Sequence, residues 1–233
     1  MHQTSAFDLI IFDCDGTLAD SEMAHNTVMM ERLHNLGLTH YTVELCMEKY
    51  MGRAISDIIE SIETEYSVRF PLNDREVSQA RYRELLPNHI RLDPSTRPLL
   101  EELKKRGQKM AVGSNGTRNN VLDTLDAADF REFFPDDFIF TFEMVKNAKP
   151  APDLYLHVCE AMHVSPRNAI VIEDTVPGAM AGLAAGIITI GYTGLAHRKN
   201  QAERLTELGC NHIINSMSEL REILYPQGLA NVS

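Results

Sequence analysis

The sequence is poor in basic residues and in cysteine, and both shortages exclude classes of function. Lys and Arg number 22 against 33 Asp and Glu, which leaves a formal net charge of −11 over 233 residues. An acidic surface repels phosphate backbones and anionic lipid, so neither nucleic acid nor a membrane is expected as a partner. The four cysteines stand far apart without a C-x-x-C pair, which argues against a zinc knuckle or a disulfide framework and favours the cytoplasm.

Long uncharged runs are also scarce, with one exception. Residues 175–196 carry no charge and are long enough to span a bilayer. The segment nevertheless contains Pro177 and five glycines, and Glu173 and Asp174 precede it directly. We interpret it as a small-residue helix that Gly186 ends, followed by a buried strand. The N-terminus lacks the basic and apolar build of a secretion signal, so neither a membrane span nor secretion is expected.

Short apolar runs alternate with helical patterns along most of the chain. The runs that predict strands lie at residues 7–12, 110–112, 138–140, 169–172, 187–190 and 212–214. Strands that alternate with helices of this length pair in parallel. We therefore expect an α/β fold, a doubly wound parallel sheet with helices on both faces.

The region from residue 21 to residue 87 contains helical patterns but no convincing strand. Asn73 with Glu76 resembles a capping box in front of one of these helices. We predict that residues 21–87 form a small helical cap domain. It would be inserted into an α/β core domain made of residues 1–20 and 88–233.

Polar residues follow the predicted strands, at the edge where open parallel sheets bind ligands. In chain order they are Asp13, Asp15, Gly16, Ser114, Asn115, Gly116, Lys149, Glu173 and Asp174. Carboxylates from two strands suit Mg²⁺, and a carboxylate can also attack phosphorus to form an aspartyl phosphate. A serine hydroxyl and a lysine can hold a phosphoryl group, while glycines let the backbone N–H groups approach it.

These segments, taken together, resemble the four ordered motifs of the haloacid dehalogenase-like superfamily. The motifs are Asp13-x-Asp15-Gly16-Thr17-Leu18-x-Asp20-Ser21, Ser114-Asn115, Lys149-Pro150 and Glu173-Asp174. The helical insertion after the first motif is similar to the small cap of the beta-phosphoglucomutase and phosphoglycolate phosphatase branch. The resemblance extends over nearly the whole chain.

The resemblance implies a role for each acid. Asp13 would be the nucleophile and a metal ligand. Asp15 would be the general acid and base, with its backbone carbonyl also on the metal. Asp174 would bind the metal directly, and Glu173 directly or through water. Dehalogenases lack an acid at the place of Asp15, which phosphotransferring members keep, so dehalogenation is disfavoured.

The remaining motif residues would contact the phosphate. The resemblance implies that Ser114 and Lys149 bind the transferring phosphoryl group, with Asn115 beside it, and we expect the backbone of Gly116 there as well.

Two residues of the insertion are further candidates for contact with the substrate. His25 lies where a beta-phosphoglucomutase relative places a histidine that faces the site; the alternative is a surface histidine on an amphipathic helix. Arg53 is a candidate for contact with an anionic or hydroxylated part of the substrate, or is simply solvated. Asp20 and Ser21 are expected to cap the first inserted helix, and Cys14 is expected to point into the core.

The resulting hypothesis is a Mg²⁺-dependent phosphatase that acts on a small phosphorylated metabolite, a sugar phosphate or phosphoglycolate, through an aspartyl phosphate. One alternative is a beta-phosphoglucomutase-like phosphosugar isomerase, which His25 favours. Another is a non-catalytic metabolite-binding protein on the same fold. A monomer or weak dimer is expected.

Overall fold

The computed structural model describes residues 5–50, 53, 55–197 and 200–226. Six strands form one sheet in the order β3-β2-β1-β4-β5-β6, and every pairing is parallel. They are β1 (Leu9–Phe12), β2 (Lys109–Ser114), β3 (Ile139–Thr141), β4 (Ala169–Glu173), β5 (Ile188–Tyr192) and β6 (His212–Ile214). The predicted α/β fold is confirmed, with each expected strand within a few residues of its apolar run.

Helices cover both faces of the sheet because the central strands are apolar on both faces. In β1, Ile10 and Phe12 pack into one hydrophobic cluster, while Leu9 and Ile11 pack into the other. The first cluster includes residues of α5 (Thr96–Lys105), α6 (Arg118–Ala127) and α10 (Met217–Leu224). The second includes residues of α7 (Asp153–Ala161) and α8 (Val176–Ala184), and α9 (Gln201–Leu208) precedes β6.

In the part of the chain that the structure describes, four helices are inserted between β1 and α5. They are α1 (Glu22–Asn35), α2 (Val43–Tyr50), α3 (Ile55–Tyr66) and α4 (Asp74–His89). They have an apolar cluster of their own, which contains Leu33, Cys46 and Ile62, all fully buried. A smaller cluster joins α1 to the C-terminal half of α4. The helical insertion therefore contributes its own packing and leaves the two clusters of the sheet unchanged.

The insertion is connected to the sheet by two neighbouring backbone segments. The N–H of Asp20 donates to the carbonyl of Arg91 at 2.9 Å, and the N–H of Arg91 donates back at 3.0 Å. The chain therefore leaves for the helices and returns from them side by side.

Two local expectations at helix starts need correction. Asn73 precedes α4, but its side chain makes no capping bond, so the predicted capping box with Glu76 is absent. Of the expected cap on α1, Asp20 contributes, since its Oδ1 accepts from the N–H of Glu22 at 3.1 Å. Ser21 does not, because its hydroxyl donates to Asp15 instead.

The uncharged stretch from residue 175 folds as interpreted from the sequence. Its first half is α8, after which Gly186 adopts a φ of +70°, and its second half contains β5. None of the described helices has the length and apolar character that crossing a membrane requires.

Candidate active site

The polar residues predicted at strand ends lie together at the carboxyl edge of the sheet. Chain order reverses on either side of β1, and the loops that diverge there leave a crevice. Asp13 directly follows β1, and its N–H donates to the carbonyl of Ile172 in β4 at 3.0 Å. Ser114 ends β2 and Glu173 ends β4. Residues more than 150 positions apart in the sequence thus surround one point.

Lys149 is the centre of this arrangement. Its Nζ donates to Asp13 Oδ1 at 2.6 Å, to Glu173 Oε1 at 2.8 Å and to the carbonyl of Gly113 at 2.7 Å. Burial lowers the pKa of Lys149, but the charges of Asp13 and Glu173 outweigh it and raise that pKa well above its usual value. The ammonium group is therefore held charged against the nucleophile that the resemblance implies.

Asp13 has one engaged and one available oxygen. Oδ1 accepts from Lys149, whereas Oδ2 has no hydrogen-bond partner among the described residues. Burial raises the pKa of Asp13 and Lys149 opposes this rise; the balance leaves that pKa well above its ordinary value. An available carboxylate oxygen beside a fixed cation is an arrangement suited to attack on phosphorus.

Glu173 is engaged on both oxygens. Oε1 accepts from Lys149 and from Tyr155 Oη at 3.1 Å, while Oε2 accepts from Thr175 through its N–H at 2.8 Å and its hydroxyl at 2.9 Å. A Cβ added to Gly178 would lie 1.5 Å from Glu173 Oε1, so α8 must have glycine there. The Glu173 carboxylate is thus bonded to Lys149 and to the start of α8, and its contact with a metal, directly or through water, stays a prediction.

Asn115 and Ser114 brace the loops around the phosphate position. The Asn115 side chain donates to the carbonyl of Lys149 and accepts from its N–H, both at 3.0 Å. Ser114 is buried, and its Oγ accepts from the N–H of Gly116 at 2.9 Å. Asn115 therefore holds the lysine loop in place, while Gly116 lines the crevice and is bonded to the buried Ser114.

Asp174 contacts the loop that contains the first motif. Its Oδ1 accepts from Thr17 Oγ1 at 3.0 Å. A Cβ added to Gly16, whose φ is +92°, would lie 2.3 Å from Asp174 Oδ2. The first motif therefore requires glycine at this position both for its backbone conformation and for this close approach.

The donor set fits Mg²⁺. Among the described residues, no three His, Cys, Asp or Glu side chains by themselves form a group that could hold a metal ion. The site has instead more buried negative charge than Lys149 neutralises: burial, Glu173 and Asp13 together raise the pKa of Asp174 well above its usual value. Mg²⁺ takes few protein carboxylates and keeps several waters, so Asp13, Asp174 and the backbone carbonyl of Asp15 are suitable ligands.

Asp15 is held through one oxygen, Oδ1. Its Oδ1 accepts from Ser21 Oγ and from Thr124 Oγ1 at 3.3 Å, and it lies 3.6 Å from His25 Nε2. Burial raises the pKa of Asp15, but His25, Ser21 and Thr124 outweigh it, so that the pKa is lowered. Within the described part of the chain, Asp15 makes no hydrogen bond to Asp13 or Lys149, but its charge contributes to raising the pKa of Asp13.

The helical insertion closes the crevice on its outer side. A cavity of about 420 Å³ lies between the sheet edge and helices α1, α3 and α4. His25 faces it and stacks on Tyr82, with ring centroids 4.2 Å apart, so the surface alternative for this histidine is wrong. Arg53 lines the outer end, but its guanidinium donates to the Asp57 carbonyl at 3.3 Å and to Ser61 Oγ at 3.4 Å.

Several residues that contact the motif side chains belong to none of the sequence motifs. Tyr155 bonds Glu173, and Thr124 bonds Asp15. Tyr82 contacts both Thr124 and His25. Cys14, between the two motif acids, lies fully buried in the first cluster, as expected. A tyrosine or threonine on an amphipathic helix is an ordinary core residue, and only the tertiary arrangement assigns it to the site.

Comparison with known proteins agrees with the motifs. A haloacid dehalogenase-like hydrolase model matches residues 10–192. The chain is 27% identical over 196 residues to a 6-phosphogluconate phosphatase of Escherichia coli K12, with 84% of this chain and 86% of that protein covered. It is 28% identical over 225 residues to a phosphorylated carbohydrates phosphatase of Thermotoga maritima, with 93% and 100% covered.

A solved structure shares the fold at similar identity. CbbY from Rhodobacter sphaeroides in complex with phosphate has a TM-score of 0.78 and 27% identity, and the match covers 92% of this chain and 96% of that chain. The family model spans most of this chain and all four of the motifs discussed above. The expectation of a phosphoric monoester hydrolase is confirmed at the level of the family: the chain belongs to the haloacid dehalogenase-like hydrolases.

Proposed function

We propose that this chain is a Mg²⁺-dependent phosphatase that hydrolyses a small phosphorylated metabolite through an aspartyl phosphate on Asp13. The observation that carries the proposal is the contact of Lys149 with Asp13 and Glu173, from three separate loops, beside a cavity of about 420 Å³. Lys149 neutralises Asp13 Oδ1, while Oδ2 stays available for attack. When bound, Mg²⁺ would supply charge neutralisation on the phosphoryl oxygens.

The reaction has two proton-transfer steps, and Asp15 is proposed for both. Asp13 attacks phosphorus, the bond to the substrate oxygen breaks, and the departing alcohol takes a proton from Asp15. Water then loses a proton to Asp15 and attacks the aspartyl phosphate, which releases phosphate and restores Asp13. His25 Nε2 lies 3.6 Å from Asp15 Oδ1; burial lowers the pKa of His25, but its contact with Asp15 outweighs this and raises that pKa above its usual value.

The cavity supports a sugar phosphate ahead of phosphoglycolate. Its volume of about 420 Å³ is in the range of pockets for drug-sized ligands and exceeds the needs of a two-carbon acid. Arg32 and Arg75, which line it, are paired with Asp74 and Glu143, so these cations are not open to a second anionic group. Ser78 Oγ is buried without a hydrogen-bond partner among the described residues and suits a substrate hydroxyl.

We further propose that residues 21–87 act as a cap that selects the substrate. The separate apolar cluster of the helical insertion and the paired backbone segments at Asp20 and Arg91 support this division. A monomer or weak dimer and a cytoplasmic location stay predictions.

The test is phosphate release across a panel of phosphomonoesters, with and without Mg²⁺, by the wild type and by Asp13→Asn. We expect release that needs both Mg²⁺ and Asp13, with sugar phosphates turned over faster than phosphoglycolate. Near-normal turnover by a folded Asp13→Asn variant contradicts the mechanism. Interconversion of glucose phosphates without phosphate release identifies the isomerase, and binding without Mg²⁺-dependent turnover identifies a non-catalytic protein.

A further inference from the structure

The two oxygens of Asp15 have different surroundings. Oδ1 is contacted by Ser21, Thr124 and His25. Oδ2 accepts no hydrogen bond from any described residue and points toward Gly116, where an added Cβ would lie 3.4 Å from it. Since Gly116 borders the crevice beside Ser114, Oδ2 is the oxygen directed at the reaction, and Oδ1 is the oxygen by which Asp15 is held.

One of the groups on Oδ1 is part of a longer chain of hydroxyls. Thr124 Oγ1 donates to Asp15 Oδ1, and Tyr82 Oη lies 2.7 Å from the same Thr124 oxygen. A threonine hydroxyl has a single proton, so while Thr124 donates to Asp15 it must accept from Tyr82. Both side chains are buried, and water therefore does not compete for these bonds. The direction of donation is fixed from Tyr82 through Thr124 to Asp15.

Tyr82 also contacts a second group on Oδ1. The His25 ring stacks on the Tyr82 ring at 4.2 Å between centroids with an interplanar angle of 26°. Tyr82 belongs to α4 in the helical insertion, whereas Thr124 belongs to α6 against the sheet. One tyrosine thus links the insertion to two of the three groups that hold the carboxylate.

We propose that Tyr82 and Thr124 are positioning residues that keep Asp15 Oδ2 directed at the leaving oxygen of the substrate. The inference rests on the proposed function, in which Asp15 gives a proton to the departing alcohol. Without the two hydroxyls, the Asp15 carboxylate is free to rotate away from the leaving oxygen. The loss of kcat/KM then falls on substrates whose leaving oxygen needs the proton of Asp15.

This dependence on the leaving group supplies the test. An alkyl phosphate such as glucose 6-phosphate requires protonation of its leaving oxygen, whereas 4-nitrophenyl phosphate releases a stable anion. The quantity to compare is kcat/KM for the two esters, because it covers only steps up to the first irreversible one, the transfer to Asp13. The later role of Asp15 toward water does not enter that quantity.

The variants are Thr124→Val, which keeps the shape and removes the hydroxyl, Thr124→Ser, which restores a hydroxyl, and Tyr82→Phe, which keeps the stacked ring. Thr96→Val is the matched control, because Thr96 is also buried at a helix but its Oγ1 has no partner to lose. Thermal unfolding of each variant, with Mg²⁺ present, verifies that it is folded before the kinetics are compared.

For Thr124→Val we expect kcat/KM to fall about 10- to 100-fold for glucose 6-phosphate, part of what a general acid provides, and less than about threefold for 4-nitrophenyl phosphate. Thr124→Ser should recover most of the loss, and Tyr82→Phe should show a smaller loss with the same preference. Equal losses for both esters, or none, overturn the inference. Absence of Asp13-dependent release from either ester by the wild type overturns the proposed function itself, and the inference with it.

Discussion

The two sides of the cavity differ in how their charged side chains are paired. On the sheet side, each charged group has partners from several loops, as with Lys149 between Asp13 and Glu173. On the side of the helical insertion, the two arginines Arg32 and Arg75 each pair with a single carboxylate, of Asp74 and Glu143. The charges of the sheet side are therefore linked in one network, whereas those of the insertion are held in separate pairs.

The largest expected effect comes from removing the central cation of the sheet side. Lys149→Met should lower kcat by about 10²- to 10³-fold, since a preorganised charge next to the reacting group is lost. It should also lower the free energy of unfolding by about 3–5 kcal/mol, because the two buried carboxylates lose their partner. Steady-state kinetics and urea unfolding measure the two effects.

Lys146→Met is the matched control for this change. Lys146 is exposed in the same loop region, four positions after Phe142, and its charge should be dispensable. An unchanged kcat in the Lys149→Met variant would contradict the role of Lys149 as the central cation of the sheet side.

The second expected effect tests the close approach of two loops on the sheet side. Gly16→Ala would bring a Cβ to 2.3 Å from Asp174 Oδ2, so we expect at least about tenfold weaker activation by Mg²⁺. Gly37→Ala is the control: its φ of +83° is similarly unfavourable for alanine, at about 1–3 kcal/mol, but its added Cβ meets open space. Equal Mg²⁺ dependence in the two variants would assign the effect to backbone strain alone.

The third expected effect belongs to the insertion. Ser78→Ala removes an unpartnered hydroxyl that lines the cavity and should raise KM for the preferred sugar phosphate roughly 2- to 10-fold, the range of one neutral hydrogen bond, with kcat nearly unchanged. Ser165→Ala, before β4 and outside the cavity, is the control. A fall in kcat instead of a rise in KM would show that the insertion takes part in the chemistry.

The smallest expected effect concerns the segment that leads from β1 into the helical insertion. His197 Nε2 lies 2.7 Å from Asp20 Oδ2, and this hydrogen bond raises the pKa of His197 above its usual value of 6.5. The bond therefore stabilises the fold fully below the unfolded pKa, and the stabilisation is lost as pH rises through the higher folded pKa. His197→Asn should cost about 1 kcal/mol at pH 6 and less at pH 9 by urea unfolding.

His163→Asn is the control for that experiment. His163 is exposed and has a φ of +53°, a conformation that asparagine tolerates, so its replacement should cost little at either pH. A His197→Asn penalty that grows with pH would contradict the assigned direction of the pKa change.

Features that follow from the local sequence pattern could be predicted, whereas contacts that depend on the tertiary arrangement could not. The strands were predictable because a strand buried on both faces must be continuously apolar, as Leu9–Phe12 is. The motif acids were predictable because parallel strands bring their carboxyl ends together. The surroundings of Glu173 were not predictable, because the four donors around its carboxylate come from Lys149, Tyr155 and Thr175, whose proximity only the fold determines. Its contact with a metal, directly or through water, stays a prediction.

The positioning pair escaped prediction for a related reason. Tyr82 and Thr124 lie 42 positions apart on two helices, and their contact depends on how α4 crosses α6. Amphipathic spacing indicates that such residues are buried, but it does not indicate which residue on another helix they meet. The absent capping box at Asn73 shows the same limit on a smaller scale, since the pattern there does not determine the side-chain orientation.

The paired backbone segments at Asp20 and Arg91 have a consequence for how this architecture can diversify. Two adjacent crossing points mean that the polypeptide between them can be lengthened, shortened or exchanged while β1 keeps its register with β2 and β4. Grafting a helical segment from another member of the family between these two positions should therefore transfer substrate preference and leave the contacts of Lys149 with Asp13 and Glu173 in place. The graft must keep Ser21, His25 and Tyr82, which hold Asp15 directly or through Thr124.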